Sequence, residues 1–307
     1  MCFIGVTTGA SLSHRLFPNW TRDLGLAGPC LLVGIDLPLG ATSEAYRQAI
    51  AGLRDVPDIR GALITSHKIS LMDASRDLFD RIDDTSVQSG EVGCITVRGG
   101  RLTALALDPL TSALAMDQFV PSGHWAEHPG ARVLCLGAGG AGTAIGLGFA
   151  TRTTSVDVPS LFLVVDREQS RVDHAVRVIR ETVRTHGRAM AVEGRVVQGP
   201  RDGDALVAAL SPHSLVINAT GMGKDTAGSP VTASVRFPDQ GLVWELNYRG
   251  ERLFLQYAEH VRQAQSLVVM DGWDYFAVSW VEHLARIYGV PLAPDRRREI
   301  IARTIRP

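Results

Sequence analysis

The sequence predicts an α/β protein of two domains. Short apolar runs alternate with stretches of helical spacing along the chain, a glycine cluster joins one such run to a helix, and a breaker-rich segment near residue 121 divides the alternation in two.

The chain has 307 residues, 45% hydrophobic and 21% charged, which is ordinary globular composition for two domains or one large one. The formal net charge of −1 supplies no basic field for nucleic acid or an anionic membrane surface. Four cysteines, Cys2, Cys30, Cys94 and Cys135, are scattered without a C-x-x-C pair, and three lie in apolar runs, as buried thiols of a reducing cytosol do. The N-terminus lacks the basic and apolar regions of a signal peptide, and no apolar run is long enough to span a bilayer. The expectation is a cytoplasmic protein that binds neither nucleic acid nor a membrane.

Residues 1–108 alternate strand and helix. Cys2–Val6 reads as a strand, and Ser11–Leu24 as a helix with Leu12, Leu16, Trp20 and Leu24 on one face. Leu31–Leu37 is a second strand, and Ser43–Leu53 a second helix with Ser43 as its N-cap. The third strand, Gly61–Thr65, leads through Ser66-His67-Lys68 into a helical run carrying Ile69, Met72, Leu78 and Phe79. Glu91–Val97 and Leu102–Leu107 are strands flanking the turn Arg98-Gly99-Gly100-Arg101. The alternation predicts a largely parallel sheet.

Pro109–Phe119 reads as a helix with Pro109 in its first turn. Pro121-Ser122-Gly123 and Glu127-His128-Pro129-Gly130 break the pattern and set the domain boundaries at 1–120 and 121–271. βα units follow: strands at 132–136, 161–165, 191–197, 215–219, 242–246 and 267–270, with helices at 143–150, 170–185, 204–210 and 252–264. The last helices, near 273–288 and 295–305, form a C-terminal segment, 272–307, expected to pack back toward the N-terminal domain.

The apolar strand ending at Leu136 runs into Gly137-Ala138-Gly139-Gly140-Ala141-Gly142, which fits G-x-G-x-x-G. Gly137 allows a tight turn, Gly139 lets the backbone approach a pyrophosphate, and Gly142 lets helix and strand come close. The phosphates would sit on the helix N-terminus, where free N–H groups and the dipole favour an anion. The next strand ends at Asp166, near the ~20-residue spacing of the acid that binds the adenosine ribose. The bland alternative is a plain βα turn with an ordinary strand-end acid. Asp166 favours NAD; Arg167 beside it could serve a 2′-phosphate, so NADP stays open.

A dinucleotide domain brings the hydride carrier, and the other domain supplies proton chemistry. Lys68 follows the strand GALIT, where its ammonium could donate a proton to a carbonyl becoming an alkoxide. A cation at a helix start opposes the dipole, which sets Lys68 apart from a plain surface lysine. Asp108 ends the run LTALAL at a strand's carboxyl end; capping of the next helix explains it equally well. His67 reads as a buried supporting imidazole. His124 and His128 have i,i+4 spacing but sit in the linker with no third ligand nearby, so no metal is expected.

In this order the pieces resemble the shikimate/quinate dehydrogenase family over nearly the whole chain. Ser11-Leu12-Ser13 resembles its S-x-S substrate motif, and GALITSHK its N-V-T-x-P-H-K segment, with Lys68 on the catalytic lysine. Leu107-Asp108 falls on N-T-D, placing Asp108 on the catalytic aspartate, and GAGGAG matches the cofactor loop. Ile217–Thr220 matches N-A-T, so Asn218, Ala219, Thr220 and the following loop with Met222 would border the nicotinamide. Trp244–Tyr248 resembles D-L-V-Y, with Tyr248 on the tyrosine, and Asp271-Gly272 resembles the D-G opening the penultimate helix. The resemblance implies an N-terminal catalytic domain and a Rossmann-like C-terminal domain with the active site in the cleft between them. Ser11, Ser13, Thr65 and Tyr248 would meet the substrate, and Lys68 and Asp108 would form its proton-transfer pair.

Several family side chains are replaced. The Asn and Thr of N-V-T fall on Ala62 and Ile64, with Thr65 next door; the Asn of A-V-N-T falls on Gly93; N-T-D has Ala106 and Leu107; the glutamine of the penultimate helix falls on Ser279. Loss of partners for substrate hydroxyls changes discrimination by a factor of ~10⁴. The expectation is therefore retained redox machinery with a changed substrate, to which Glu91 and Trp273 could contribute. The alternatives are a metabolite-sensing module on a decayed dehydrogenase fold and a folate-type dehydrogenase, which the S-x-S and N-A-T segments fit less well.

Overall fold

The computed structural model describes residues 1–152, 157–224 and 226–306. The chain divides into two compact units, Met1–Leu107 with Ala277–Pro307, and Asp108–Phe276.

The first unit opens with β1 (Cys2–Gly5), α1 (Ser13–Asp23), β2 (Val33–Asp36), α2 (Ser43–Asp55) and β3 (Gly61–Ile64). α3 (Lys68–Ser75), a 3-10 turn (Arg76–Leu78), β4 (Arg81–Ile82), α4 (Asp84–Ser89), β5 (Cys94–Arg98) and β6 (Arg101–Leu105) follow. The sheet order is β2-β1-β3-β5-β6-β4. β1, β2 and β3 are parallel, as the alternation predicts. β5 runs antiparallel to both β3 and β6, so the sheet is mixed. The cause is local: Gly99 and Gly100 both have positive φ, and so short a connection joins only antiparallel strands. The α2 cap lies one residue before the expected Ser43, since the Thr42 hydroxyl accepts from the Ala45 amide at 3.2 Å. β4 and α4 escape the sequence reading because two- and six-residue elements carry too few positions for periodicity to register.

Alternate residues of these strands face opposite layers. Ile4, Ile64 and Ile95 pack with Ile50, Leu53 and Leu71 in the core on one face. On the other, Phe3 meets Trp280 edge-on at 5.2 Å, and Trp20 stacks on Trp280 at 5.6 Å.

The second unit comprises α5 (Asp108–Met116), α6 (His124–Glu127), β7 (Val133–Leu136), α7 (Gly140–Thr151), β8 (Leu161–Asp166) and α8 (Gln169–Thr185). β9 (Ala191–Val196), α9 (Pro200–Ala208), β10 (Leu215–Asn218), β11 (Leu242–Glu245), α10 (Leu253–Val261) and β12 (Val268–Met270) complete its sheet. α11 (Trp273–Tyr288) starts in this unit and ends in the first, followed by α12 (Pro294–Ala302). All pairings are parallel in the order β12-β11-β10-β7-β8-β9. This is the doubly wound arrangement, with its direction of winding reversing between β7 and β10. β7, β10 and β11 are buried on both faces, so they read as continuous apolar runs. Among the described residues no helix is long and apolar enough to cross a membrane.

Candidate functional site

At the carboxyl end of β7 the chain turns through Gly137, whose φ of +114° only glycine adopts freely. A Cβ there would lie 2.7 Å from the Ala219 carbonyl carbon, so the turn after β7 and the segment after β10 touch backbone to backbone. At Gly142 a Cβ would lie 2.0 Å from the Gly137 carbonyl oxygen. A Cβ on Gly139, by contrast, would meet nothing within 4 Å. Two glycines are thus demanded by the fold, and the third faces open space at the N-terminus of α7, where Gly139 is the cap residue. A free helix terminus beside an open glycine fits a pyrophosphate.

Asp166 closes the same loop from the end of β8. One carboxylate oxygen accepts from the Ala138 amide at 2.9 Å, and the other from the Arg167 and Glu168 amides at 2.8 and 3.2 Å. The carboxylate therefore latches the glycine turn and retains acceptor positions for ribose hydroxyls. Arg167 beside it is exposed.

After β10, the buried Asn218 organises the turn. Its side-chain oxygen accepts from the Thr220 hydroxyl at 2.7 Å and the Thr220 amide at 3.1 Å, and Thr220 in turn accepts from the Met222 amide at 3.1 Å. The Asn218 amide group donates to Glu245 at 2.8 Å. Glu245, at the end of β11, is wholly buried and also accepts from the Asn247 amide at 2.9 Å. Burial pushes its carboxyl up to about 7, against the opposing pull of these hydrogen bonds. Asn247 donates to the Met222 carbonyl at 2.9 Å, tying the two loops together. Tyr248 follows, its ring stacked on Phe276 at 4.3 Å. Asp271 caps α11 through the Trp273 amide, and a Cβ on Gly272 would lie 1.9 Å from the Leu246 carbonyl oxygen.

In the first unit, the carboxyl ends of β1, β2 and β3 share one edge because these strands are parallel. The Ser11 and Ser13 hydroxyls lie 2.8 Å apart after β1. The Thr65 hydroxyl, after β3, donates to the Ile4 carbonyl at 3.3 Å. Lys68, half-buried, is the first residue of α3, and its carbonyl accepts from the Val92 amide. His67 before it is buried; its Nε2 donates to the Leu37 carbonyl at 3.0 Å, which leaves Nδ1 to accept from the Tyr46 hydroxyl at 2.9 Å. This imidazole fixes the backbone from which Lys68 projects. The Gly93 carbonyl accepts from the Ile64 amide while the Gly93 amide donates to the Leu105 carbonyl, so the ends of β3 and β6 flank the start of β5 at the same edge. Asp108, buried, is the first residue of α5 and opens the second unit.

The structure thus brings together the predicted residues Gly137, Ala138, Asp166 and Ala219, and separately Asn218, Thr220 and Met222 with one another. Asp36, His14 and Glu245 are polar groups of these edges that the sequence reading passed over. Asp36 and Glu245 carry the signal used for Asp108 and Asp166, an acid ending an apolar strand. In the linker, His128 stacks on His213 at 3.6 Å, and His124 bonds the His213 carbonyl. Among the described residues no group of three or more His, Cys, Asp or Glu side chains is arranged to hold a metal.

No family model matches this chain, and no curated protein sequence matches it either. Solved structures do. Quinate dehydrogenase from Corynebacterium glutamicum in complex with NAD is 22% identical, with a TM-score of 0.71, covering 98% of this chain and 97% of that one. Shikimate 5-dehydrogenase from Thermus thermophilus in complex with NADP(H) and shikimate is 21% identical, with a TM-score of 0.66, covering 99% and 98%. The 5-ketofructose reductase of a Gluconobacter species, in its ligand-free form, is 17% identical, with a TM-score of 0.69, covering 99% and 98%. Over nearly its whole length, the chain has the two-domain α/β fold of the shikimate and quinate dehydrogenases.

Proposed function

We propose that this protein is an NAD(P)-dependent oxidoreductase of the shikimate dehydrogenase family that interconverts a secondary alcohol and a ketone on a small polar, polyol-like substrate. The observation that carries this reading is the glycine turn latched by Asp166 at the point where the doubly wound sheet reverses, the position at which such sheets bind dinucleotides. The quinate, shikimate and 5-ketofructose enzymes of the same fold support the substrate class.

A nicotinamide, when bound, supplies the hydride acceptor or donor. Gly139 and the N-terminus of α7 receive its pyrophosphate, and Asp166 receives the adenosine ribose in preference to a 2′-phosphate. Asn218 holds the Thr220–Met222 turn that borders the nicotinamide. Lys68 and Asp108 act as the proton-transfer pair. Lys68 follows β3 at the carboxyl end of the first unit's parallel strands, and Asp108 is the first residue of α5. With Asp108 favouring the charged form of Lys68, the ammonium donates a proton to the carbonyl oxygen during reduction. In oxidation Lys68 acts as a relay, passing a proton to the Asp108 carboxylate as it takes the one from the substrate hydroxyl. Ser11, Ser13, Thr65 and Tyr248 orient the substrate. Soluble, unanchored action in the cytoplasm as a monomer or homodimer belongs to the same reading.

The test is NAD(P)H formation by the purified protein on a panel of cyclitols, sugars and hydroxy acids, with Lys68→Ala alongside. Turnover lost in the variant supports the reading. Turnover unchanged in Lys68→Ala removes Lys68 from the chemistry. Tight ligand binding with no turnover on any alcohol supports a sensing module instead.

A further inference from the structure

In the pairing of β1 with β2, Gly5 faces Asp36 and Phe3 faces Gly34. These four residues therefore share one sheet face, opposite the core that holds Ile4 and Ile35. Two of them have no side chain, and the room is used. A Cβ on Gly34 would lie 2.1 Å from the Thr8 hydroxyl oxygen, and one on Gly5 would lie 2.8 Å from the Thr65 hydroxyl oxygen. The Thr8 hydroxyl and amide both donate to one Asp36 oxygen, at 2.5 and 2.8 Å. His14, in the first turn of α1 beside Ser11 and Ser13, lies over the same face, its ring 6.5 Å from that of Phe3. The Thr8 hydroxyl, then the Thr8 amide, hold the Asp36 carboxyl below the usual range, and His14 acts in the same direction. The His14 Nε2 atom is buried without a hydrogen-bond partner among the described residues.

A buried ring nitrogen without a partner costs free energy, which a water, an ion or a ligand recovers by bonding to it. We infer that His14 contacts the substrate and, with Asp36, selects an uncharged, hydroxyl-rich substrate end over one bearing a carboxylate. This rests on the dehydrogenase reading above and deepens it. A substrate hydroxyl both donates and accepts, so it matches Nε2 in either tautomer. The exposed Asp36 carboxylate accepts from a second hydroxyl and repels a like charge. Thr8, Ser11, Ser13 and Thr65 surround the pair with further hydroxyls.

The experiment compares NAD⁺-dependent oxidation of myo-inositol and D-sorbitol with that of quinate and shikimate, alongside NAD⁺ binding. The wild type is expected to favour a neutral polyol by kcat/KM. His14→Ala raises KM for that polyol by about tenfold with kcat little changed, His14→Gln recovers part of the loss, and Asp36→Asn shifts preference toward quinate. The ligand-free His14→Phe protein melts no lower than wild type, because no structural bond is removed. Equal or better turnover of quinate overturns the substrate class, and an unchanged KM in His14→Ala overturns the role of His14. Silence on all four substrates with NAD⁺ bound overturns the substrate class while the cofactor site stands. Failure to bind either NAD⁺ or NADP⁺ defeats the dehydrogenase reading itself.

Discussion

The strand ends of the two units build polar sites from different materials. The second unit uses backbone: a turn of glycines, amide groups at a helix start, and an acid spent largely on holding that turn. The first unit uses side chains from separate segments, namely Ser11, Ser13, Asp36, Thr65 and Lys68. A backbone site tolerates little change, because a Cβ added at Gly137 or Gly142 collides with main-chain atoms. A side-chain site changes its ligand one residue at a time and leaves the sheet intact. Under the proposed function, this difference allows the substrate to change while the glycine turn is kept.

The largest effect expected falls on the side-chain site. Lys68→Ala removes the proposed proton donor and is expected to lower kcat by about 10²–10⁴. Since Lys68 is only half-buried, its melting temperature should stay close to that of wild type, and NAD⁺ affinity should be kept. A steady-state assay paired with a cofactor titration checks all three. A variant that loses cofactor binding together with turnover would break the division of labour between the units.

The backbone site should respond the other way, in stability first. Gly142→Ala places a methyl group 2.0 Å from the Gly137 carbonyl, so β7 and α7 must separate. The expected cost is about 3 kcal/mol or more, with dinucleotide binding lost. Urea denaturation measures it; a shift under about 1 kcal/mol would mean the close approach is not a constraint.

How much of this was legible beforehand follows the same division. GAGGAG after VLCL is a pattern in consecutive residues, as is Asp166 after LFLVV, so the glycine turn and the acid that holds it could be read directly. So could the all-parallel second sheet, from apolar runs separated by helices. The mixed first sheet was half-visible: the Gly99-Gly100 turn announces a hairpin, but strand order depends on pairings between β3 and β5 that no local pattern records. The network of Asn218, Glu245 and Asn247 was hidden for another reason. Its members lie in separate segments, and a glutamate within LVWELNY shows its burial only once β10 and β11 lie side by side. His14 shows nothing in sequence except its place after Ser13.

Glu245 sharpens the comparison through pH. An unfolded glutamate ionises near 4.3, whereas in the folded protein burial raises the carboxyl to about 7. Between these values the folded state holds a proton that the unfolded chain has released. Stability from this group is therefore full below about pH 4 and declines as pH rises toward about 7, by on the order of 3 kcal/mol. Denaturant midpoints for wild type and Glu245→Gln, taken from pH 5 to pH 8, read this difference. The variant should lack the decline. Parallel curves for the two proteins would remove Glu245 as its source.

The smallest effect separates the glycines from one another. Gly139→Ala adds a methyl group that meets nothing within 4 Å, at a φ of −74° that alanine adopts freely. The folded protein should be unharmed, with a melting temperature at or slightly above that of wild type, because alanine lowers the entropy of the unfolded chain. Only the dinucleotide should notice, since the methyl group stands where the backbone must approach the pyrophosphate. A weakening of NAD⁺ binding by about tenfold, roughly 1.4 kcal/mol, is expected from titration calorimetry. Gly142→Ala fails through the fold and Gly139→Ala through the ligand, although both sit in one six-residue loop. Unaltered NAD⁺ affinity in Gly139→Ala would mean that the phosphates bind elsewhere, and the cofactor assignment of the loop would have to rest on Asp166 alone.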